Sequence, residues 1–142
     1  MFKSILLPID LSSEASWAKA LPTALEMMRD KDAELHVVAV LPDFGMPIVE
    51  SYFKEGYEDE ALADFGHKLA AWVSKHVPED VTVHPHVLHG TIYAEILRAA
   101  KELSADVIVL ASHRPELSDY LLGPNAARVV RHAKQSVMVV RN

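Results

Sequence analysis

The 142-residue chain contains no cysteine. That removes disulfides, thiolate nucleophiles and cysteine-ligated zinc or iron–sulfur centres together. No segment approaches the ~20 consecutive apolar residues a helix needs to cross a bilayer, so no membrane insertion is expected. The opening stretch Met1 to Asp10 has one Lys and a short apolar run, without the length or small-residue cleavage site of a signal peptide. The expected location is therefore the cytoplasm. Internal repeats and low-complexity segments are absent. So are the phosphate-cradling G-x-x-x-x-G-K-[ST] loop and the dinucleotide G-x-G-x-x-G turn. The G-x-S-x-G elbow of a hydrolase triad is missing as well, and no two carboxylates are placed for acid–base work. Positive charge is also in short supply. The formal net charge is −6, which argues against general nucleic-acid binding, since that needs a basic face to displace phosphate counter-ions.

The charge is uneven. Ala111 to Asn142 holds five Lys/Arg against two Asp/Glu, so the first 110 residues carry −9. A basic final quarter suits one small anion, and ordinary variation of surface charge explains it equally well. Half of the residues are hydrophobic, enough for the core of a single domain spanning 1–142. Their pattern changes period along the chain. Ile5-Leu6-Leu7, Val37 to Val40, Val107 to Leu110 and Val137 to Val140 are short continuous apolar runs, the mark of strands buried on both faces. Between them, helical spacing of three and four places Trp17, Leu21, Ala24, Leu25 and Met28 on one face. It does the same for Leu62, Phe65, Leu69, Val73 and His76, for Ile96, Leu97, Ala100 and Leu103, and for Ala126, Val129, Val130 and Ala133. Ser12 or Ser13, Thr91 and Asn125 are candidate caps of the first, third and fourth helices. Pro22 is expected to kink the first.

From Val81 to Leu88 apolar and polar residues alternate around Pro85. This reads as a half-exposed strand, and a proline that cannot donate to a ladder places it at a sheet edge. The order β-α-β-α-β-α-β-α-β predicts a parallel sheet covered on both faces, with right-handed crossovers. The longest connection, 42–60, has the length of a lid or binding loop; a partly helical segment from Ile48 is the alternative. His84 and His86, two apart, share a face of the edge strand. No third ligand is evident beside them, so solvated edge residues are the plainer reading than a metal site. His36, His67, His76 and His132 show no ligand spacing.

Ligands of open parallel sheets bind beyond the carboxyl ends of the strands, where strand order reverses. Those ends are Pro8-Ile9-Asp10, Val40-Leu41, His89-Gly90 and Ala111-Ser112-His113-Arg114. Asp10 offers a carboxylate for a ribose hydroxyl, or a cap for the first helix. Ser112, His113 and Arg114 offer a hydroxyl, an imidazole and a permanent charge. Gly123 to Ala126 offers a turn into a helix N-terminus, whose free N–H groups attract anions. The competing readings are a satisfied strand end, backbone freedom at Gly123, and an Arg114 paired with Glu116 or Asp119.

At these residues the chain resembles the universal stress protein family. Met1 to Ser12 resembles the family's first strand and Ala33 to Val40 its second. The stretch from Ala105 to Arg141 is the most specific, above all Ala111-Ser112-His113-Arg114-Pro115 and Leu121-Leu122-Gly123-Pro124-Asn125-Ala126-Ala127. The resemblance implies a five-stranded parallel sheet of order 3-2-1-4-5 with helices on both faces, a Rossmann-like α/β fold. It implies a homodimer through the terminal strand Ser136 to Arg141. It also implies binding of ATP, or of ADP or AMP, with or without magnesium, and with little or no turnover. Backbone groups at Ala39 and Val40 would face the adenine, and Ser136 and Val137 join the implied site. The family's G-x2-G-x9-G-[ST] pattern is altered here. Ala111 replaces its first Gly, Arg114 its second and Pro124 its Ser/Thr, and eight residues separate Arg114 from Gly123. Pro124 removes a hydroxyl and an N–H, while Arg114 adds a forked cation. The S-H-R-P and L-L-G-x-N-A forms resemble one nucleotide-binding branch. A dimeric interaction module without nucleotide is the alternative function. An ATPase or nucleotide-activating enzyme lacks its general base and metal carboxylates. The protein partner, signal and pathway are not readable from these residues.

Overall fold

Continuous apolar runs become strands because both of their faces are covered. In the computed structural model, which describes residues 2–28, 32–42, 57–112 and 124–141, the strands are β1 (Ser4–Ile9), β2 (Glu34–Pro42), β3 (Val83–Gly90), β4 (Val107–Ser112) and β5 (Ser136–Arg141). They form one parallel sheet of order β3-β2-β1-β4-β5. Four helices lie among the described residues: α1 (Ala20–Met27), α2 (Tyr57–His76), α3 (Ile92–Glu102) and α4 (Pro124–His132). Neighbouring side chains of a strand point to opposite faces, so the runs split between two cores. Ile5, Leu7, Ile9, Val37 and Val109 pack with Leu21 and Ala24 of α1 and Leu69 and Trp72 of α2. Leu6, Val38, Ile108 and Leu110 pack with Ile96 and Ala100 of α3 and Ala126 and Val129 of α4. Each of the Val, Leu and Ile side chains among them stabilises the fold by roughly 1.5–3 kcal/mol on burial.

Pro85 occupies the edge that its missing N–H demands: among the described residues β3 pairs only with β2, with Pro85 opposite Val37. Other expectations need correction. Pro22 does not kink α1. The helix opens at Ala20, after a 3-10 turn at Glu14–Ser16, so Pro22 lies in the first turn, where its absent N–H has no helical partner to lose. Ser13 and Thr91 stand at cap positions, yet neither makes a side-chain cap bond. Asn125 lies inside α4, which begins at Pro124, and a proline suits a first helical turn. Val130 is 48% exposed rather than part of the fourth apolar face. The expected lid or helix at 42–60 falls largely on 43–56, outside the described residues; α2 begins at Tyr57.

Candidate functional site

Strand order reverses between β1 and β4, and their registered pairs are Ile5 with Val107 and Leu6 with Ile108. The β1–β2 ladder, by contrast, runs on to Ile9 with Ala39. Beyond the carboxyl ends of β1 and β2 lies a cavity of about 380 Å³. Its floor and walls are apolar: Pro8 and Ile9 from β1, Val38 and Val40 from β2, Phe65 from α2 and Ile92 from α3. Asp10 and Ser12 give it a polar rim, and Lys68 gives it a cation.

The loop after β1 is held by its own side chains. Asp10 Oδ1 accepts the Ser12 backbone N–H at 2.9 Å and the Ser12 hydroxyl at 2.7 Å. This is an Asx turn, in which a short carboxylate satisfies backbone two residues on. Asp10 thus shapes its own loop and does not cap α1. Buried Ser16 anchors the same loop. Its Oγ accepts the Asp10 N–H at 2.9 Å and donates to the Ser13 carbonyl at 2.7 Å. The carboxylate is thereby fixed at the rim.

Lys68 lies one turn beyond Phe65 on α2 and is 3.3 Å from the Asp64 carboxylate, with both side chains mostly exposed. An exposed pair of this kind is weak, so Lys68 can exchange its partner for a ligand anion at small cost. On the other side, β3 ends at His89 and Gly90, registered with Leu41 and Pro42. Gly90 has φ +134°, and a Cβ there would stand 3.4 Å from Glu95 Cγ. The turn into α3 therefore requires glycine for its backbone. The Arg98 guanidinium holds the Glu95 carboxyl below its usual range, through bonds of 2.8 and 2.9 Å.

Of the residues expected from the sequence, Pro8, Ile9, Asp10 and Val40 line this cavity. Ala39 neighbours it along β2, with its side chain fully buried in the first core. Ala111 is likewise fully buried, and Ser112 ends β4 opposite Arg141. Asn125 and Ala126 lie in the first turn of α4, with Ala126 in the second core. His113, Arg114 and Gly123 fall outside the described residues. Ser136 and Val137 are misplaced by the sequence reading. They pair with Val107 and Ile108 at the amino end of β5, whereas a parallel sheet presents its ligand crevice at the carboxyl ends. Phe65, Lys68 and Ile92 were not expected here. Phe65 reads from the sequence as core, and only the i,i+3 spacing to Lys68 hints that the pair shares one face of α2.

Comparison with known proteins places the whole chain. The model of the universal stress protein family matches residues 1–141. Universal stress protein G of Shigella flexneri is 32% identical over 143 residues, covering 99% of this chain and all of that protein. Among solved structures, a hypothetical protein whose biochemical function was assigned from its structure superposes with a TM-score of 0.80 at 24% identity, covering 100% of this chain and 97% of that one. An Arabidopsis thaliana protein of the family with AMP bound gives a TM-score of 0.64 at 17% identity, covering 99% and 92%. A universal stress protein in complex with cAMP gives 0.59 at 20%, covering 99% and 97%.

Proposed function

This chain belongs to the universal stress protein family, and from that premise we propose that it is a stress-response regulator that binds ATP, or its ADP and AMP relatives, with little or no turnover. One observation carries the reading: an apolar cavity beyond the carboxyl ends of β1 and β2, rimmed by a carboxylate that its own loop holds in place. Family members of the same fold that hold AMP and cAMP support it. In this reading the base lies against Val38, Val40, Phe65 and Ile92. Asp10 accepts a ribose hydroxyl, and the backbone at Ala39 and Val40 faces the adenine. The phosphates fall to Lys68, Ser112, His113, Arg114, Gly123, Asn125 and Ala126, with magnesium entering only as their counter-ion. Asp10 is the one carboxylate lining the cavity among the described residues. With that group on the ribose, no other carboxylate among the described residues lines the cavity to activate water, in keeping with little or no turnover.

The proposed assembly is a homodimer through β5. That strand is the second edge of the sheet, and Met138 on it is 43% exposed. An apolar unpaired edge favours association.

The test of binding is twofold. Nucleotide copurifying with the protein is read by ultraviolet absorbance after denaturation, and Asp10→Ala is titrated against the parent. A bond to a charged acceptor contributes roughly 1.5–3 kcal/mol, so Asp10→Ala is expected to weaken ATP about ten- to a hundredfold. Unchanged affinity would confine Asp10 to its turn with Ser12. Absence of nucleotide together with absence of binding would favour a dimeric interaction module of the same fold.

A further inference from the structure

We propose that His36, His84 and His86 form an acid-sensitive latch that holds the edge strand β3 against β2. The fold assembles this cluster from two strands. His36 comes from β2, on the face that α3 covers, and its registered neighbour on β3 is His84, with His86 one pleat further on. His36 is 8% exposed. Its Nδ1 stands 3.0 Å from His86 Nε2. The His36 ring centroid is 5.1 Å from that of His84 and 5.2 Å from that of His86, each pair inclined at 25°. Glu34 Oε2 lies 3.7 Å from Nε2 of both His36 and His84.

This geometry assigns the protons. A bond between two imidazole nitrogens needs one that carries hydrogen and one that is bare. A bare His36 Nε2 facing Glu34 would set two lone pairs against each other. Nε2 therefore carries the hydrogen, and Nδ1 accepts from His86. One added proton can be shared along the His36–His86 bond, opposite Glu34. A second makes both facing nitrogens donors and sets two cations within ring-contact distance of each other, with a single carboxylate to balance them.

Among the described residues no other charge relieves this. The β1 residues on the same face are Ser4, Leu6 and Pro8. On α3, Arg98 is bound to Glu95 and Glu102, and Lys101 is exposed. The charges that bear on His36 are His86 and His84, which oppose its protonation, and Glu34, which favours it. Burial is the larger cause, and it holds both His36 and His86 below the ordinary 6.5. In an open strand the His36 and His86 rings return to the ordinary 6.5, so below that pH the open form binds more protons than the closed one. The latch is thus complete above about pH 6.5 and is lost as pH falls through the depressed values. Among the described residues β2 is the one strand paired with β3, so the latch sits on the ladder that joins this edge strand to the sheet. That ladder runs on to Pro42 with Gly90, at the rim of the cavity. The inference stands whether or not the cavity binds nucleotide.

The experiment is amide hydrogen exchange read by mass spectrometry on the intact protein between pH 7.5 and 5.5, corrected for intrinsic rates. Peptides spanning 83–90 should open more in acid, by roughly tenfold per pH unit for each extra proton the open strand takes. Peptides from β1 and β4 should not follow. His84→Gln combined with His86→Gln should reduce the response, leaving only the part due to the burial of His36, and the exposed control His67→Gln should leave it intact. Glu34→Gln, a change on an exposed side chain, should steepen it, since the balancing carboxylate is gone. An acid response in the double variant equal to the parent's, or one reduced in Glu34→Gln, would overturn the proposal.

Discussion

Asp106 precedes β4, and its Oδ2 accepts the backbone N–H groups of Lys3 and Ser4, each at 2.9 Å. One carboxylate thereby joins the starts of β1 and β4, and the Lys3 and Ser4 bonds hold it below its ordinary value of 3.8. A group depressed in this way contributes stability that is present above 3.8 and lost as pH falls through the folded value. Because the site is largely exposed, its contribution is discounted to about 1 kcal/mol. Asp106→Asn should lower neutral-pH stability by that amount in urea melts, and the difference from the parent should shrink below pH 3.8. Arg114 carries the prediction at the phosphate end. Pro124 supplies neither the hydroxyl nor the N–H of the family pattern, and Arg114 brings a full charge. Arg114→Ala should weaken ATP about ten- to a hundredfold and AMP by less. Equal losses would place Arg114 by the sugar or α-phosphate, and no loss would return it to surface pairing. Asp10 was legible as a residue of the cavity rim because it follows an apolar run at a strand's carboxyl end. Lys68 was not, since nothing local marks which face of the long helix α2 overlooks the cavity.

At the scale of elements, the end of α3 is closed by a Schellman arrangement. Ala105 N–H reaches the Ala100 carbonyl at 2.9 Å, and Ser104 N–H reaches that of Lys101 at 3.2 Å. The residue in the left-handed position is Ser104, with φ 51°, where glycine is usual. A side chain there costs roughly 1–2 kcal/mol, and glycine's extra unfolded-state entropy returns roughly 0.5–1. Ser104→Gly should therefore stabilise the fold by up to about 1 kcal/mol in thermal melts, and destabilisation would contradict the assignment. Prolines were the most legible punctuation, but their meaning depended on position. Pro85 marked an edge correctly because a ladder bond is all or none. Pro22 misled because its effect depends on where the first helical turn begins, and the 3-10 turn at Glu14–Ser16 moves that start to Ala20. Asn125 misled for the same reason, with Pro124 opening α4 ahead of it.

For the whole molecule, sheet order followed from alternating elements, a proline-marked edge and the family resemblance, and the observed β3-β2-β1-β4-β5 agrees with it. What stayed hidden was non-local. His36 is nearly fifty residues from His84, and only the β2–β3 register brings them together. Ser136 and Val137 went astray in the opposite way, since membership in the resemblance did not fix which end of β5 they occupy. The proposed dimer is checked by light scattering at micromolar concentration, with twice the 15.8 kDa chain mass expected and a monomer contradicting it. Met138→Lys, at the exposed edge, should shift that equilibrium toward monomer. Nucleotide binding in the cavity between β1, β2 and α2 is tested by calorimetric titration with ATP, ADP and AMP, with and without magnesium. Saturable one-site binding of at least one of the three is expected, abolished by filling the cavity through Val40→Trp in a protein that still melts cooperatively. No saturable heat from any of them, or full binding by Val40→Trp, would contradict it.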